Sequence, residues 1–565
     1  MKLGNKIIID VRDIFEWQID SAKSQNLGKN PKKRRNKMEK YKIMWRDIII
    51  WCDIRRILHD FINMPNFKKT LIWGVALYII ALFALLRGDI YYLDDWGSAS
   101  RETSWSHFSR YLATFILNDL STLGKSSLDI SPLLQILGVL FVVASSMILI
   151  YLIRKKLDLL GIIASLPLGL SPYFLENLSY KFESITMSIA LFLAILPFLF
   201  KDNKRIFSAV SVVCLILMFS CYQAANATYI ILSLFFAFFM QADLRGKARF
   251  LAHCACNLII ASLIYKFAIA EPVSTHTITY TSDKMIALNG AFLLGVWGNL
   301  SAYLTTIFSD FKQTPYIWLI ALNFALFALN VAFYSNRRIY AICGAIVFLA
   351  LGIALSYGLY LVLEKPILNP RVFYGFNALV AVISIANISQ FAESCPDSVK
   401  FAKSCPKSTQ NPPPHSLQKL HKIPRILSIA TILITAYFLI SFANIYANAL
   451  KKQDEYIAFR AGLLARDLQN LPKNAVIVIK GEIAYSAVSA RFIDKYGGIS
   501  RLLGAYRNVN WVIWALTHFN TPHNLRYGGD EICEMLEAQF GSEVVAENAW
   551  HKIEKAKVCY FVTMR

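Results

Sequence analysis

Long apolar runs separated by short polar segments occupy most of the chain between residues 70 and 447. A transmembrane helix needs about 20 mainly apolar residues to cross a hydrocarbon layer of about 30 Å. By that criterion the pattern predicts eleven spans, at 70–87, 132–153, 158–173, 184–200, 206–221, 224–240, 250–269, 315–335, 339–361, 372–391 and 426–447. The four short runs between 158 and 240 are candidates for broken or re-entrant helices, which need protein or a water-filled cavity around them.

The segments that flank or interrupt these runs have a different pattern. Residues 1–69 are basic, and positions 41–62 carry apolar side chains at helical spacing, which predicts an amphipathic helix on the inner membrane surface. Residues 392–424 are polar and rich in proline, which predicts a flexible cytoplasmic loop. We therefore expect a cytoplasmic N-terminal region at 1–69 and a transmembrane domain at 70–447, followed by a C-terminal domain at 448–565.

The C-terminal residues 448–565 alternate apolar and polar positions over short stretches. This pattern predicts a small α/β domain, with strands at 475–479 and 558–562 and a helix between them. Cys533 and Cys559 both fall in this domain. Their presence allows a disulfide if the domain lies in an oxidising compartment, but the sequence does not decide whether they pair.

Composition supports a membrane protein. Hydrophobic residues make up 56% of the chain and charged residues only 17%, which is below the ~25% of soluble proteins. The 59 Lys and Arg against 37 Asp and Glu give a net charge of +22. With so hydrophobic a chain, we expect the lipid bilayer as the partner and no nucleic acid.

The basic residues instead indicate the topology. Loops after every second predicted span hold clusters of Lys and Arg, as at 154–156, 201–205 and 245–249, whereas the opposite loops hold many acids. Because Lys and Arg are enriched in cytoplasmic loops, we predict a cytoplasmic N-terminus. An odd number of spans then places the C-terminal domain outside, in the periplasm if this is a bacterial inner-membrane protein.

The first outside loop contains the densest candidate chemistry. Asp94 and Asp95 are adjacent, and one of them can act as general base toward a sugar hydroxyl while the other orients it or binds a cation. Trp96 can supply a face for a sugar ring, and Arg110 can bind a phosphate with two hydrogen bonds. The alternative is a solvated loop with an interfacial aromatic anchor. The sequence leaves open whether a divalent cation binds at the two acids, and it contains no P-loop, G-x-G-x-x-G or zinc motif.

Polar residues also interrupt the apolar pattern at three later places. Ionisable groups near a membrane are functional candidates, although polar contacts between helices and snorkelling arginines are the competing structural explanations. These candidates are Glu176, Asn177, Lys181 and Glu183 in the turn at 171–183, Gln223 and Asn226 in the break near 221–226, and Arg371 before the tenth span.

Several of these motifs occur together in a known family. The chain resembles the bacterial type II glucosyltransferases that modify O-antigen, at YLDDWG (92–97), PYFLENLSYKFE (172–183), CYQA (221–224), RVFYGF (371–376) and YANALKKQDEY (446–456). The family's turn more often has Arg and Asp where this chain has Lys181 and Glu183. The resemblance implies a helical, polytopic membrane enzyme of the GT-C type.

The resemblance also implies an activity and roles for the candidate residues. Such enzymes transfer a sugar, here expected to be glucose, from a polyprenyl-phosphate carrier to a surface glycan such as O-antigen or lipooligosaccharide on the periplasmic face, and a flippase can supply the donor. An acid in the first outside loop is their usual catalytic group, which corresponds to Asp94 or Asp95. We assign the donor phosphate to Arg110, Lys181 and Arg371, and the sugar or acceptor to Trp96, Glu176, Asn177, Glu183, Gln223 and Asn226.

Other functions remain compatible with the sequence. A flippase or transporter of lipid-linked sugars would place charges along the interior of the bundle, whereas here the polar motifs cluster in outside loops. A polymerase or ligase of lipid-linked glycans, or a transferase of mannose or another sugar, fits the same loops. A membrane anchor that presents 448–565 as a binding module would leave the loop acids unexplained. The sequence identifies no certain cofactor, and it leaves open a divalent cation at Asp94 and Asp95.

Overall fold

The computed structural model describes residues 51–565 apart from several short gaps, at 101–102, 125–126, 241, 271–283, 334, 336–337, 390–414, 474, 505–508, 520–523 and 528–529. The basic segment 1–50 and most of the predicted loop 392–424 lie outside the described residues. Residues 51–62 are helical, as the amphipathic pattern predicted, and Phe61 is buried against Phe67 and Tyr151.

Apolar helices dominate the described part of the chain. Eight of them are long and apolar enough to cross a membrane, and a ninth would result if the pair Leu159–Leu170 and Pro172–Ser179, bent by 68°, is one span. The eight are Phe67–Gly88, Leu133–Arg154, Lys204–Cys221, Leu244–Ala270, Phe292–Phe311, Pro315–Phe333, Arg338–Leu355 and Ile423–Leu468. Three shorter apolar helices are Ser184–Phe200, Gln223–Phe239 and Tyr374–Asn387. A helix occupies each of the eleven predicted segments, but the number of crossings stays a prediction.

The helix Phe292–Phe311 was not predicted, because polar residues such as Asn299 interrupt its apolar pattern. Asn299 Nδ2 donates to the carbonyls of Leu361 and Leu363, at 3.0 and 2.8 Å, and Tyr303 hydrogen-bonds Ser356 at 2.9 Å. The middle of this helix therefore packs on the connection that follows the helix Arg338–Leu355.

The last apolar helix differs most from expectation. It extends over 54 residues, His415–Leu468, with Pro424 inside it. Residues 415–424, predicted as part of a flexible loop, are therefore helical. The expected boundary between the transmembrane and C-terminal domains, at 447–448, also falls inside this continuous helix. Because apolar side chains continue past the boundary, Ile457 and Leu464 are buried there.

The C-terminal domain contains a five-stranded mixed sheet. Its strands are β1 (Val476–Gly481), β2 (Asn524–Tyr527), β3 (Glu543–Glu547), β4 (His551–Ala556) and β5 (Cys559–Met564), in the order β2-β1-β5-β4-β3. β1 pairs in parallel with β2 and β5, whereas β4 is antiparallel to β3 and β5. The α/β prediction and both predicted strands are confirmed.

Helices and a disulfide complete this domain. The helices are Ala487–Tyr496, Arg501–Gly504, Val509–His518 and Glu531–Phe540. Cys533 and Cys559 form a disulfide that joins the last helix to β5, so the pairing that the sequence allowed is confirmed. The domain packs directly on the first loop of the membrane part, where Tyr92 Oη donates to the carbonyl of Leu502 at 3.0 Å.

Candidate functional site

The two adjacent acids of the first loop have different environments. Asp95 begins the short helix Asp95–Ser100 and is only 2% exposed. Its carboxylate accepts hydrogen bonds from the backbone N–H groups of Tyr92 (3.0 Å), Lys181 (2.8 Å) and Phe182 (3.4 Å). Asp95 therefore ties the first loop to the turn at 180–183, and backbone amides occupy both of its oxygens.

Asp94 is exposed, and in the described part of the chain its carboxylate makes no hydrogen bond or ion pair. The surrounding protein desolvates this carboxylate and raises the pKa of Asp94 to about 6. Arg371 and Arg110 lower this pKa, and Glu183 and Glu176 raise it, so all four charges lie within electrostatic range. Asp94 is thus open to solvent on one side and surrounded by protein on the others.

Arg371 lies within electrostatic range of Asp94 and is held by Glu176. The backbone N–H of Arg371 donates to Glu176 Oε2 at 2.7 Å, and its Nη1 donates to Oε1 at 3.2 Å and to the hydroxyl of Tyr180. Asn177 adds a contact from Nδ2 to the Arg371 carbonyl at 3.2 Å, and another to Tyr374 Oη at 2.7 Å. Pro172 starts the helix that carries Glu176 and Asn177, since proline suits a first helical position.

Arg110 forms a second group, with Glu183 and Gln223. Its Nη1 donates to Glu183 Oε2 at 3.1 Å, its Nε donates to Gln223 Oε1 at 3.2 Å, and its guanidinium lies 4.5 Å from the ring centroid of Tyr222. Trp105 Nε1 donates to the other oxygen of Glu183. Gln223, through Nε2, also donates to the Phe108 carbonyl and to Tyr265 Oη, at 3.0 and 3.1 Å.

Two acids compensate the charge of Lys181, and its side chain is buried. Its Nζ donates to Asp89 Oδ1 at 2.5 Å and to Asp129 Oδ2 at 3.0 Å, and it lies 3.9 Å from the ring centroid of Tyr91. The Lys181 side chain is 2% exposed, whereas those of Arg110 and Arg371 are 19% and 25% exposed. The two arginines are therefore more accessible to an anion than Lys181 is.

These contacts create one accessible carboxylate with two partly accessible guanidinium groups nearby. A carboxylate whose pKa lies near 6 is deprotonated at neutral pH and can accept a proton from a hydroxyl. Guanidinium groups bind phosphate oxygens through paired hydrogen bonds. Among the described residues, no group of three or more His, Cys, Asp or Glu side chains is arranged to hold a metal ion.

The sequence profile of the family described as Glucosyl transferase GtrII matches residues 82–382. The matched segment is just over half of the chain and contains Asp94, Arg110, Glu176 and Arg371. The chain belongs to the GtrII glucosyl transferase family. The family resemblance noted in the sequence is thereby confirmed.

A relative of this GtrII family member occurs in a bacteriophage. An uncharacterized 55.3 kDa protein in the gtrB 5′ region of Salmonella phage P22 is 26% identical over 264 residues, which cover 45% of this chain and 53% of that protein. The chain thus spans about half the length of the curated relative it matches. No solved structure matches the chain significantly.

Within this GtrII family member, the predicted site residues fall into two sets. Asp94, Arg110, Glu176, Glu183, Gln223 and Arg371 are brought together around the Asp94 carboxylate. The others are enclosed: Asn226 bridges Gln223 O and Leu359 N, and Trp96 is 4% exposed, packed on Tyr91 and His518. The Trp96 ring therefore has no open face, although its Nε1 lacks a hydrogen bond to the described protein.

The sequence pattern did not single out several contributors to the candidate site. Tyr180 and Tyr222 contact the two arginines, and Trp105 holds Glu183. Both tyrosines lie inside the polar motifs that supplied other candidates, and this position could have identified them from the sequence. Arg501, which contacts the segment before Arg371, gave no signal because it is 130 residues away in the chain.

Proposed function

We propose that this protein transfers a sugar, with glucose as the sugar that the family name indicates, from a polyprenyl-phosphate carrier to a surface glycan such as O-antigen or lipooligosaccharide. The reaction takes place at the periplasmic face of a bacterial inner membrane. The observation that carries this proposal is the accessible Asp94 carboxylate, which has no hydrogen-bond or ion-pair partner among the described residues and lies within electrostatic range of Arg110 and Arg371. All three residues fall in the segment that matches the GtrII family.

Asp94 acts as the general base in an inverting displacement. It removes the proton from an acceptor hydroxyl as that oxygen forms a bond to the anomeric carbon of the donor sugar. The bond from the anomeric carbon to the phosphate oxygen breaks, and polyprenyl phosphate leaves with the electron pair. Arg371 and Arg110 stabilise the negative charge on the departing phosphate, an interaction that strengthens where water is excluded.

The acids and amides around the two arginines support this arrangement. Glu176 orients Arg371, and Glu183 orients Arg110, so both acids act on the donor phosphate indirectly. Gln223 accepts a hydrogen bond from Arg110. Asn177 and Asn226 have a structural role, because their hydrogen bonds join separate segments of the chain. Lys181 belongs to the structural set because two carboxylates already compensate its charge. Asp95 holds the loop through the backbone N–H groups that donate to both of its oxygens.

Three features support a periplasmic site. In the predicted topology, the Lys- and Arg-rich loops lie on the opposite side from the acidic loops, as the positive-inside rule requires of a cytoplasmic face. We propose that the helix Phe292–Phe311 is not a crossing, because Asn299 contacts the predicted outside connection after Arg338–Leu355 and Asp310 contacts Arg501 of the C-terminal domain. The predicted number of spans then stays odd. The disulfide Cys533–Cys559 fits an oxidising compartment for the C-terminal domain.

Glycan analysis tests this function. The surface glycan of a deletion strain should lack one hexose, by mass and linkage, relative to its parent. The wild-type gene should restore the hexose, whereas D94N should not restore it at equal membrane abundance. An unchanged glycan contradicts the proposal, and accumulation of lipid-linked sugar intermediates instead would indicate a flippase or transporter.

A further inference from the structure

Arg501 belongs to the C-terminal domain but contacts the membrane part of the protein. It starts the short helix Arg501–Gly504. Its Nε donates to Asp310 Oδ1 at 2.8 Å and its Nη2 donates to Asp310 Oδ2 at 2.9 Å. The remaining terminal nitrogen, Nη1, donates to the carbonyl of Leu368 at 2.7 Å. This two-pronged geometry is specific to arginine, because lysine presents a single donor centre.

Asp310 is buried and contacts two other parts of the chain. It lies in the last turn of the unpredicted helix Phe292–Phe311 and is only 2% exposed. Besides Arg501, it accepts a hydrogen bond from the hydroxyl of Tyr173 at 2.9 Å. Tyr173 and Glu176 are three residues apart on one helix, so they share a face of it. The ion pair is thereby joined to the helix that binds Arg371.

Arg501 also contacts the chain on both sides of Arg371. Leu368, which accepts its hydrogen bond, precedes Arg371 by three residues. Phe373 follows Arg371 by two residues, and its ring centroid lies 5.8 Å from the Arg501 guanidinium and 4.7 Å from that of Tyr173. The segment that presents Arg371 is therefore fixed by the C-terminal domain as well as by Glu176.

We propose that Arg501 is a positioning residue for the donor-phosphate site. By holding the segment 368–373 against the helix Pro172–Ser179, it keeps the Arg371 guanidinium directed toward the space beside Asp94. The C-terminal domain thus completes the framework of the site. This inference rests on the proposed role of Arg371 in binding the donor phosphate.

Binding of polyprenyl phosphate tests the inference, measured by native mass spectrometry on the purified full-length protein. R371A and R501A should each weaken binding by about tenfold, within the range of coupling between contacting residues. The double variant R371A/R501A should bind no more weakly than R371A, because Arg501 acts through Arg371. R501K should retain part of the affinity. The exposed Arg491, on the neighbouring helix, provides a matched control, and R491A should bind like wild type.

Folding is checked on the same samples through the Cys533–Cys559 disulfide and membrane abundance. If R501A fails this check, R501K and D310N carry the test, and each should weaken binding. Wild-type binding by the folded Arg501 variants overturns the inference alone, provided that R371A binds weakly. The inference is also overturned if the loss of binding free energy in R371A/R501A equals the sum of the losses in R371A and R501A. Wild-type binding by R371A would overturn both the role of Arg371 and the inference that rests on it.

Discussion

Asp94 and Asp95 are neighbours in the chain, yet only the Asp95 carboxylate accepts hydrogen bonds within the described structure. Three backbone N–H groups donate to Asp95, whereas the Asp94 carboxylate is accessible and lies near two arginines. The two adjacent aspartates therefore combine a structural residue, Asp95, with the residue that we propose as the general base, Asp94. This contrast separates two roles that the sequence could not assign.

Substituting the two acids singly should produce different defects. D94N should reduce transfer by at least about 100-fold, as expected on loss of a general base, without changing thermal stability. D95N should destabilise the protein by about 1–3 kcal/mol, because its amide NH₂ replaces one carboxylate oxygen and leaves a buried N–H donor without an acceptor. Transfer rates in membranes and thermal unfolding in detergent measure the two effects. Equal loss of transfer by both variants, at normal stability, would contradict the division.

Transfer should depend on pH through Asp94. Desolvation raises its pKa to about 6, so the carboxylate is charged above that pH and protonated below it. The base form is lost on acidification, and the initial rate should therefore fall to about half near pH 6 and further at pH 5. Rates measured between pH 5 and 8, with stability followed in parallel, provide the test. A flat profile between pH 5 and 7 would exclude Asp94 as the titrating base.

Glu183 should affect the pH dependence of the transfer rate. Its negative charge raises the pKa of Asp94, so E183Q should lower this pKa and move the midpoint of the rate profile to more acidic pH. The variant also loses the ion pair to Arg110, which should raise the KM for the donor. The matched control is E455Q, an exposed acid on the long C-terminal helix, whose midpoint should stay near that of wild type. A midpoint shift toward higher pH would contradict the sign of this coupling.

The sequence predicted the helical segments well because the apolar periodicity depends only on local order. It missed Phe292–Phe311, since that helix places Asn299 and Asp310 against protein and so interrupts its own apolar pattern. It also ended the last span at 447, although the helix continues to Leu468. Hydropathy reports where a helix meets lipid, whereas these helices are also stabilised by contacts with protein.

The site was predicted as a set of residues but not as an arrangement. Motif spacing identified Asp94, Arg110 and Arg371, which the structure brings together. Nothing local distinguishes Lys181, enclosed by Asp89 and Asp129, from the accessible arginines. Ion-pair partners lie tens to hundreds of residues apart, and only the fold determines which charges compensate each other.

Lys181 should affect stability more than donor binding. K181M removes a buried cation and leaves Asp89 and Asp129 facing each other without it. Asp89 is largely exposed, so the cost should lie between the ~1 kcal/mol of an exposed pair and the ~3 kcal/mol of a buried one. Thermal unfolding should therefore occur at lower temperature, while the donor KM of the folded fraction stays within about twofold of wild type. A large rise in donor KM at unchanged stability would instead indicate that Lys181 binds the donor phosphate.

The disulfide provides a test of both stability and topology. Cys533 and Cys559 are 26 residues apart and tie the helix Glu531–Phe540 to the central strands. Closing a loop of that length constrains the unfolded chain, so C533S/C559S should destabilise the C-terminal domain by about 3 kcal/mol. Because a stable disulfide forms in an oxidising compartment, cysteines alkylated without reduction in intact cells should show this pair protected. The exposed free cysteines Cys256 and Cys343 serve as internal controls for the alkylation once the membrane is solubilised. If Cys533 and Cys559 are found reduced while the domain is folded, the C-terminal domain lies in the cytoplasm, and the proposed periplasmic position of the site is wrong.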